Sequence, residues 1–370
     1  MATLYLGLIS GTSADGIDVA LASFARKPKL LASLAHPYPE NLRRRILTLA
    51  QGDGRIALDE FGALDVEIAR AFAAAATALL QREGIAANKI RALGSHGQTV
   101  RHRPLGATPY TMQLGDPNVI AELTGITTVA DFRRRDIAAG GHGAPLAPAF
   151  HAAMLERDKK TRVVLNLGGI ANITILPGDE RQPLRGFDTG PASCLLDAWI
   201  AKHLDQPYDK DGAYAASGRI DETLLKRLLA DPYFAEPPPK STGREVFHLT
   251  WLNEHLRGLA LAPKHVQATL VALSAITIAD AIRAYARGAR EVWACGGGVH
   301  NPVLMMAIAD ALAPIPVESI AEIGIDPDFV EAMTFAWLAR ERLDDRAAPN
   351  VHTVTGARGP RVLGGVYYGD

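Results

Sequence analysis

The sequence predicts an α/β protein built from two related domains, and three of its features lead to this prediction. An apolar strand, a polar glycine loop and a second apolar strand follow one another within residues 5–24. The same order returns at residues 162–176, and a third glycine turn follows an apolar strand at residues 291–298. At 370 residues, the chain also exceeds the roughly 250 to 300 residues at which a single core usually divides. We therefore expect two domains that face each other.

The first glycine loop contains groups that a nucleotide phosphate needs. Residues 10–13 supply three hydroxyls, and Gly11 lets the backbone approach a ligand closely. Asp15 and Asp18 add carboxylates that suit a hydrated magnesium ion. Taken alone, the loop is more simply explained as a polar hairpin turn, because isolated glycine motifs often bind nothing. The second and third glycine turns make a nucleotide site the better interpretation.

The segment between the two hairpins is predicted to begin with helices at residues 41–50 and 58–82, the second because of its alanine run. A short buried strand at residues 91–93 is expected to lead residues 94–99 into a loop, where α/β folds keep reactive groups. Residues 136–148 are rich in glycine, alanine and proline. We interpret them as a crossing between the domains.

The second hairpin carries asparagines, with Asn166 shortly before the turn formed by Gly168 and Gly169. The strand that follows it, residues 186–191, ends in a glycine–proline corner before a helix. This position lets the Asp188 carboxylate face a cleft.

The third turn consists of three glycines at residues 296–298, between a buried strand and a predicted helix at residues 303–312 that Asn301 can cap. Such a turn can lie against the flat or phosphorylated parts of a nucleotide. The last predicted helix, residues 329–343, carries Glu331 in its first turn, either as a site residue or as a solvated charge that the helix dipole favours. The loop at residues 237–244 is either a solvated connection or a ligand contact.

Composition and spacing exclude several other classes of protein. Thirty-nine basic and forty acidic residues give a formal charge of −1, so no general attraction to nucleic acid or membranes is expected. The two cysteines match no metal or redox spacing and fit a reducing cytoplasm. Gly11 and Gly16 are spaced as in a Walker loop, but Ile17 and Asp18 stand where that loop needs lysine and a hydroxyl.

At the level of whole motifs, the chain resembles the actin, Hsp70 and sugar kinase superfamily, and within it the anhydro-N-acetylmuramic acid kinases. The resemblance extends over nearly the whole chain. It rests on SGTSADGID at 10–18, GSHGQT at 94–99, ADFRRRDIAAGGHGAP at 130–145, NLGGIANIT at 166–174, GFDTGP at 186–191, PKSTGRE at 239–245, CGGG at 295–298 and TGARGP at 355–360.

The resemblance implies two actin-like, or ribonuclease H-like, domains with an ATP cleft between them. Domain I would comprise residues 1–127 with about 336–370, and domain II residues 128–335. The implied activity uses ATP and Mg²⁺ to open 1,6-anhydro-N-acetylmuramic acid with water and to phosphorylate O6, a step of peptidoglycan recycling. A cytoplasmic homodimer that acts on a small amino sugar, without nucleic acid or membrane partners, is also implied.

Each site residue is assigned by its place in these motifs. Asp188 is expected to be the general base that activates water. Thr99, Arg133 and Glu331 are expected to line the sugar site, with the arginine a suitable partner for the lactyl carboxylate. Asp15 and Asp18 are the candidate magnesium ligands, and which of them binds, directly or through water, stays open. The expected nucleotide-binding residues are Gly11, Thr12, Ser13, Ala14, Asp15, Gly16, Ile17, Asp18, Asn166, Gly168, Gly169, Gly296, Gly297 and Gly298.

Three alternatives remain beside this interpretation. One is a kinase of the same fold that acts on another sugar. The second is a nucleotide-switched binding protein, disfavoured because we expect no substrate-binding domain beyond residue 370. The third is a hydrolase built on Ser95 and His96, or a metal site that uses histidines, and neither has the spacing that such sites require. The candidate histidines are His96, His102, His142 and His151.

Overall fold

The computed structural model describes residues 3–25, 27–155, 159–179 and 181–369. Its strands are β1 (Leu4–Ser10), β2 (Ile17–Ser23), β3 (Lys29–His36), β4 (Ile90–Arg103), β5 (Tyr110–Leu114), β6 (Thr128–Ala130), β7 (Thr161–Leu167), β8 (Ile170–Leu176), β9 (Arg185–Pro191), β10 (Ala289–Cys295), β11 (Val317–Ser319) and β12 (Gly365–Tyr367). Its α-helices are α1 (Glu40–Gln51), α2 (Leu58–Arg82), α3 (Pro117–Thr124), α4 (Arg134–Ala138), α5 (Ala147–Met154), α6 (Ser193–Leu204), α7 (Ala213–Ala216), α8 (Glu222–Leu229), α9 (Pro232–Ala235), α10 (Leu249–His255), α11 (Pro263–Tyr285), α12 (Pro302–Leu312), α13 (Val330–Leu343) and α14 (Val351–Thr355). Short 3-10 turns lie at Ala87–Lys89, Lys210–Gly212, Gly297–His300, Ile320–Ile323 and Pro327–Phe329.

The chain divides into two compact units. The first comprises Met1–Glu156 and Phe329–Asp370, and the second comprises Arg157–Asp328. The boundaries expected from the sequence lie at 127/128 and about 335/336, and the difference has a structural reason. Strand β6 pairs with β4 and β12 in the sheet of the first unit, so the residues after 127 continue that unit. The segment 136–148, interpreted as a crossing between domains, therefore lies inside the first unit.

The two sheets repeat one strand order. In the first, β1, β2 and β3 are successively antiparallel, and β1 continues in parallel to β4 and then β6. In the second, β7, β8 and β9 are successively antiparallel, and β7 continues in parallel to β10 and then β11. Strands β5 and β12 extend only the first sheet. This order confirms the predicted α/β class and the ribonuclease H-like duplication that the resemblance implies.

The motif at residues 94–99 lies inside a strand, so the prediction that it forms a loop is wrong. Strand β4 runs for 14 residues and pairs with β1, β5 and β6. Its glycines are required by packing instead. A Cβ on Gly94 would lie 2.0 Å from the carbonyl oxygen of Phe335 in α13, and one on Gly7 in β1 would lie 1.9 Å from that of Ala332. Helix α13 can therefore lie directly on the backbone of both strands.

The second unit is organised around α11, which is buried over most of its length and apolar on most sides. It is the one helix of the described residues that is long and apolar enough to cross a membrane, and 83% of its apolar window is buried inside the protein. A helix buried in this way is a core helix. Its neighbours include α6, α7, α8, α12 and strand β9.

Candidate active site

The first glycine loop is fixed by contacts from two other elements of its own unit. The carbonyl oxygen of Gly11 accepts a hydrogen bond from the Gln98 side chain at 3.0 Å and another from the amide of Ala14 at 3.1 Å. Arg43 of α1 donates to the carbonyl oxygen of Ala14 at 3.1 Å and pairs with Asp15 at 2.8 Å. These contacts restrain the loop, and a restrained loop loses less conformational entropy when it binds a ligand.

The loop residues fall into two groups. Ala14 and Ile17 are buried in the core of the unit, so their side chains cannot contact a ligand, although their backbone can. Gly16 is required by packing, since a Cβ there would lie 2.9 Å from the carbonyl oxygen of His36. Thr12 and Ser13 are exposed and half-buried respectively, so their hydroxyls stay candidates for phosphate contacts.

The oxygen donors of this loop fit a magnesium ion. Magnesium usually takes one or two carboxylates and completes its shell with water and substrate phosphates. Accordingly, a dedicated protein cage is not needed, and the described residues hold no cluster of three or more His, Cys, Asp or Glu side chains that could bind a metal alone. Asp15 pairs with Arg43, and Asp18 lies half-buried near the start of β2.

Three of the predicted glycines leave open space where a side chain would stand. A Cβ on Gly297 would meet no atom within 4 Å, and Cβ atoms on Gly11 and Gly168 would come no closer than 3.8 Å and 3.5 Å to their neighbours. Packing of the protein therefore does not require glycine at these positions. Bare backbone next to free space is what a phosphate or a base needs for close approach.

The other two glycines of the third turn are required by the fold. A Cβ on Gly296, whose φ is +81°, would lie 2.4 Å from the side-chain oxygen of Asn166. A Cβ on Gly298 would lie 2.6 Å from Leu167. The second hairpin and the third turn are thus in contact, and Asn166 joins them. The predicted Asn301 cap is confirmed, since its side chain accepts the amide of Leu304 at 3.0 Å.

Asp188 lies in β9, next to the second hairpin, and a loop from further along the chain holds its carboxylate. Ser241 Oγ donates to Asp188 Oδ2 at 2.8 Å, and the amide of Thr242 donates to the same oxygen at 3.0 Å. The backbone of Asp188 is bound as well, by Tyr233 and by Lys240. Among the described residues, both hydrogen bonds to the Asp188 carboxylate go to its Oδ2. Its Oδ1 therefore remains to accept a proton.

Burial raises the pKa of the Asp188 carboxyl above its ordinary value of 3.8, although the hydrogen bonds from Thr242 and Ser241 oppose the rise. The charge of Glu245 raises this pKa a little further. A carboxylate with a raised pKa is a stronger base than an ordinary aspartate. The geometry and the environment therefore both suit proton abstraction.

The first unit brings Arg133 and Glu331 into electrostatic contact. Arg133 Nε donates to His96 Nε2 at 2.9 Å, and Arg133 Nη1 donates to the carbonyl oxygen of Gly143 at 2.7 Å. Burial lowers the pKa of Arg133 to about 10, and the charge of Glu331 acts against this shift. Burial raises the pKa of the Glu331 carboxyl, although solvent still reaches its side chain. Thr99 Oγ1 accepts a hydrogen bond from Gln113 at 3.1 Å.

The loop that supports Arg133 is itself built around a buried carboxylate. Asp136 Oδ2 accepts the amide of Gly143 at 2.7 Å, and its Oδ1 accepts the hydroxyl of Thr355 at 2.7 Å. The amide of His142 donates to the carbonyl oxygen of Thr355 at 2.8 Å. The motifs at 130–145 and 355–360, far apart in the sequence, therefore form one structure that places a carbonyl group against Arg133.

Sequence reasoning missed the supporting roles of four residues, namely Gln98, His96, Ser241 and Thr242. All four lie inside the motifs at 94–99 and 239–245, so the motifs were a signal that could have identified them. The alternative hydrolase based on Ser95 and His96 finds no support, because His96 accepts a hydrogen bond from Arg133 and packs against Phe335, with ring centroids 4.6 Å apart and the ring planes tilted by 36°. Burial and Arg133 also hold the pKa of His96 well below its usual range.

Comparison with known proteins gives a consistent result. The model of the anhydro-N-acetylmuramic acid kinase family matches residues 3–369. The anhydro-N-acetylmuramic acid kinase of Xanthomonas axonopodis pv. citri is 55% identical over 368 residues, which cover 98% of each chain. That of Coxiella burnetii is 47% identical over 366 residues, which cover 99% of this chain and 98% of the relative.

Among solved structures, component A of (R)-2-hydroxyglutaryl-CoA dehydratase from Acidaminococcus fermentans aligns with a TM-score of 0.48 at 10% identity, covering 90% of this chain and 96% of that one. A ROK family glucokinase from Streptomyces griseus aligns with a TM-score of 0.39 at 13% identity, covering 91% and 99%. The match to the family model and to full-length relatives shows the family directly: the chain belongs to the anhydro-N-acetylmuramic acid kinase family.

Proposed function

We propose that this protein uses ATP to convert 1,6-anhydro-N-acetylmuramic acid to N-acetylmuramic acid 6-phosphate, with water opening the anhydro bridge. The observation that carries the proposal is the Asp188 carboxylate. It is held through Oδ2 by Ser241 and Thr242, has a raised pKa, and lies on the strand that pairs with the second hairpin. Membership of the kinase family supports the same reaction.

In this proposal, Asp188 Oδ1 takes a proton from water while the water oxygen bonds to the anomeric carbon C1. The C1–O6 bond breaks, and its electron pair remains on O6. O6 then attacks the γ-phosphorus of ATP, the bond from that phosphorus to the bridging oxygen breaks, and ADP leaves. The proton on Asp188 returns to solvent, so one water, one sugar and one ATP give one sugar phosphate, one ADP and one proton.

Phosphoryl transfer depends mainly on positioning and on neutralisation of charge. The glycine loops supply the positioning, because Gly11, Gly168 and Gly297 leave bare backbone where a phosphate or base can approach. Asp15 or Asp18 would hold magnesium, and the bound ion would supply charge neutralisation at the phosphates.

The sugar is proposed to bind at Arg133, Glu331 and Thr99. In the described residues, Arg133 uses Nε and Nη1 for His96 and Gly143, and its Nη2 can donate to the lactyl carboxylate. Glu331 is an acceptor for sugar hydroxyl or amide groups. This combination of a cation for the lactyl group and an acceptor for the ring distinguishes an amino sugar acid from a neutral hexose.

The test is a substrate assay. Purified protein with Mg·ATP is expected to form the 6-phosphate of the anhydro sugar with one ADP per product, measured by mass spectrometry and a coupled ADP assay. Turnover of glucose or N-acetylglucosamine in its place would move the activity to another sugar. ATP binding without turnover of any sugar would instead favour a nucleotide-switched binding protein.

The Asp188→Asn variant is expected to bind ATP but to lose turnover, because an amide cannot take the proton. A positioned general base contributes roughly 10²- to 10⁴-fold to a rate, so the loss should be at least this large. Full activity in this variant would remove Asp188 as the base.

We also propose a cytoplasmic homodimer, as the resemblance implies. Both cysteines are buried and form no disulfide among the described residues, which is consistent with a reducing compartment. Light scattering coupled to gel filtration tests the oligomeric state, and a monomer mass would contradict this part of the proposal.

A further inference from the structure

The loop that holds Asp188 also places a guanidinium group on the second hairpin. A Cβ on Gly169 would lie 3.2 Å from Arg244 Nε and 3.3 Å from Arg244 Nη2. Arg244 therefore lies close against the backbone of the turn, at a distance where a side chain in place of Gly169 would be tight. Its charge also reaches the neighbouring Cys194 thiol, where it opposes the rise of the pKa to about 11 that burial causes.

The Arg244 guanidinium has no competing partner among the described residues. Among the described residues, it forms no hydrogen bond and no ion pair with another side chain. The other cation of the loop, Lys240, differs in this respect. Lys240 Nζ donates to the carbonyl oxygen of Tyr233 at 3.0 Å and lies 4.5 Å from the centre of the Tyr233 ring. Lys240 is thus used by the fold, whereas the guanidinium of Arg244 is exposed and available.

The turn also needs a cation if it is to hold phosphates. The first amides of α6 cannot neutralise an anion there, because the hairpin's own carbonyl groups already bind them. The carbonyl oxygen of Gly169 accepts the amides of Ala192 and Cys194 at 3.0 Å each, and that of Gly168 accepts the amide of Ser193 at 3.1 Å. The amides of residues 192–194 are therefore occupied, and in the part of the chain that the structure describes Arg244 supplies a positive charge beside the turn.

From this geometry we infer that Arg244 binds the γ-phosphate of ATP during its transfer. The inference rests on the proposed function, because it takes the second hairpin as a phosphate site. A planar guanidinium can donate to two phosphate oxygens at once and can neutralise charge on the transferring group. The same short loop would then join the two halves of the reaction, with Ser241 and Thr242 orienting the base and Arg244 stabilising the phosphoryl group.

The experiment compares nucleotide binding and turnover in Arg244→Gln, Arg244→Lys and the control Arg287→Gln, an exposed arginine of the same unit. Calorimetry measures the Kd of ADP and of a non-hydrolysable ATP analogue in the presence of Mg²⁺. In Arg244→Gln, the Kd of the analogue is expected to rise about tenfold while that of ADP changes less than twofold, because only the analogue carries a γ-phosphate.

Turnover of the anhydro sugar is expected to fall at least about 100-fold in Arg244→Gln, since a catalytic arginine on a transferring phosphate contributes about 10³- to 10⁵-fold. Arg244→Lys should keep most of the analogue affinity but remain slow, because an ammonium group lacks the planar fork. Arg287→Gln should match the wild type in every measurement.

An Arg244→Gln protein with unchanged analogue affinity and turnover would overturn the inference. Equal weakening of ADP and the analogue would also overturn it, since it would indicate damage to the whole loop. If the wild type fails to phosphorylate the anhydro sugar but the analogue still loses affinity selectively in Arg244→Gln, the proposed substrate is wrong and the role of Arg244 stands. If the wild type binds neither nucleotide, both proposals fall.

Discussion

Removal of the Ser241 hydroxyl is expected to change the pH at which the enzyme works. Ser241 Oγ donates to Asp188 Oδ2 at 2.8 Å, and a hydrogen bond to a charged acceptor contributes about 1.5 to 3 kcal/mol. Ser241 is exposed, so we take the lower end of that range. Because about 1.4 kcal/mol corresponds to one pKa unit, Ser241→Ala should raise the pKa of Asp188 by about one unit.

The sign of the effect follows from the role of the base. Asp188 must be ionised to take a proton, and the lost hydrogen bond favours its protonated form. The acidic limb of the kcat/KM profile should therefore move about one unit toward higher pH. At a pH below the acidic limbs of both profiles, kcat/KM of the variant should be about tenfold lower than that of the wild type. At a pH well above both limbs, the two values should converge.

The assay is kcat/KM for the anhydro sugar across the pH range at saturating ATP. Ser217→Ala is a matched control, since its hydroxyl donates to the carbonyl oxygen of Tyr214 at 2.8 Å. The control profile should superimpose on that of the wild type. A profile of Ser241→Ala that also superimposes, or one lowered equally at every pH, would refute the assignment of Asp188 as the base.

Four further variants test the packing of the fold, the first glycine loop and the surroundings of Arg133. Gly7→Ala places a Cβ 1.9 Å from a carbonyl oxygen of α13 and should lower the free energy of unfolding by about 3 kcal/mol or more. Gly62→Ala, in open space within α2, should raise it by about 0.5 to 1 kcal/mol. Urea unfolding measures both changes. Gly11→Ala meets only ordinary contacts, so stability should be unchanged while calorimetry shows weaker ATP binding; unchanged affinity would argue against a phosphate at this glycine. His96→Phe removes the acceptor of Arg133 Nε, so KM for the sugar should rise about tenfold while KM for ATP stays constant; a rise in both would contradict a role specific to the sugar.

The glycine hairpins and the fold class could be predicted from the sequence because their signals are local. Each hairpin is a run of apolar strand residues interrupted by small polar residues, and its repetition indicated the duplication that the two sheets show. The Asn301 cap and the 25-residue helix α2 are local in the same way. Such features depend on neighbours within a few residues.

The errors arise where tertiary packing decides. Gly94 and Gly97 interrupt the strand pattern and indicate a loop, yet β4 continues because Gly94 lets α13 approach its backbone. The predicted boundary at 127/128 differs from the limits of the compact units because β6 is only three residues long, and its membership depends on pairing with β4 and β12. Pairing between distant strands has no signature in a short segment.

The support of the site depends on long-range contacts as well. Ser241 reaches Asp188 across 53 residues of chain, and Thr355 reaches Asp136 across 219. Both contacts lie in motifs that the resemblance identified without assigning them a role. The structure supplies that role, since one motif orients the proposed base and the other positions the loop behind Arg133.

The fate of a water oxygen tests the central claim most directly. The protein, Mg·ATP and 1,6-anhydro-N-acetylmuramic acid are incubated in ¹⁸O-labelled water, quenched early and analysed by mass spectrometry, with unlabelled product in a parallel incubation to correct for exchange at C1. We predict one labelled oxygen on the sugar at C1 and none in the phosphoryl group. Label in released inorganic phosphate, or a phosphorylated sugar without label, would contradict the account.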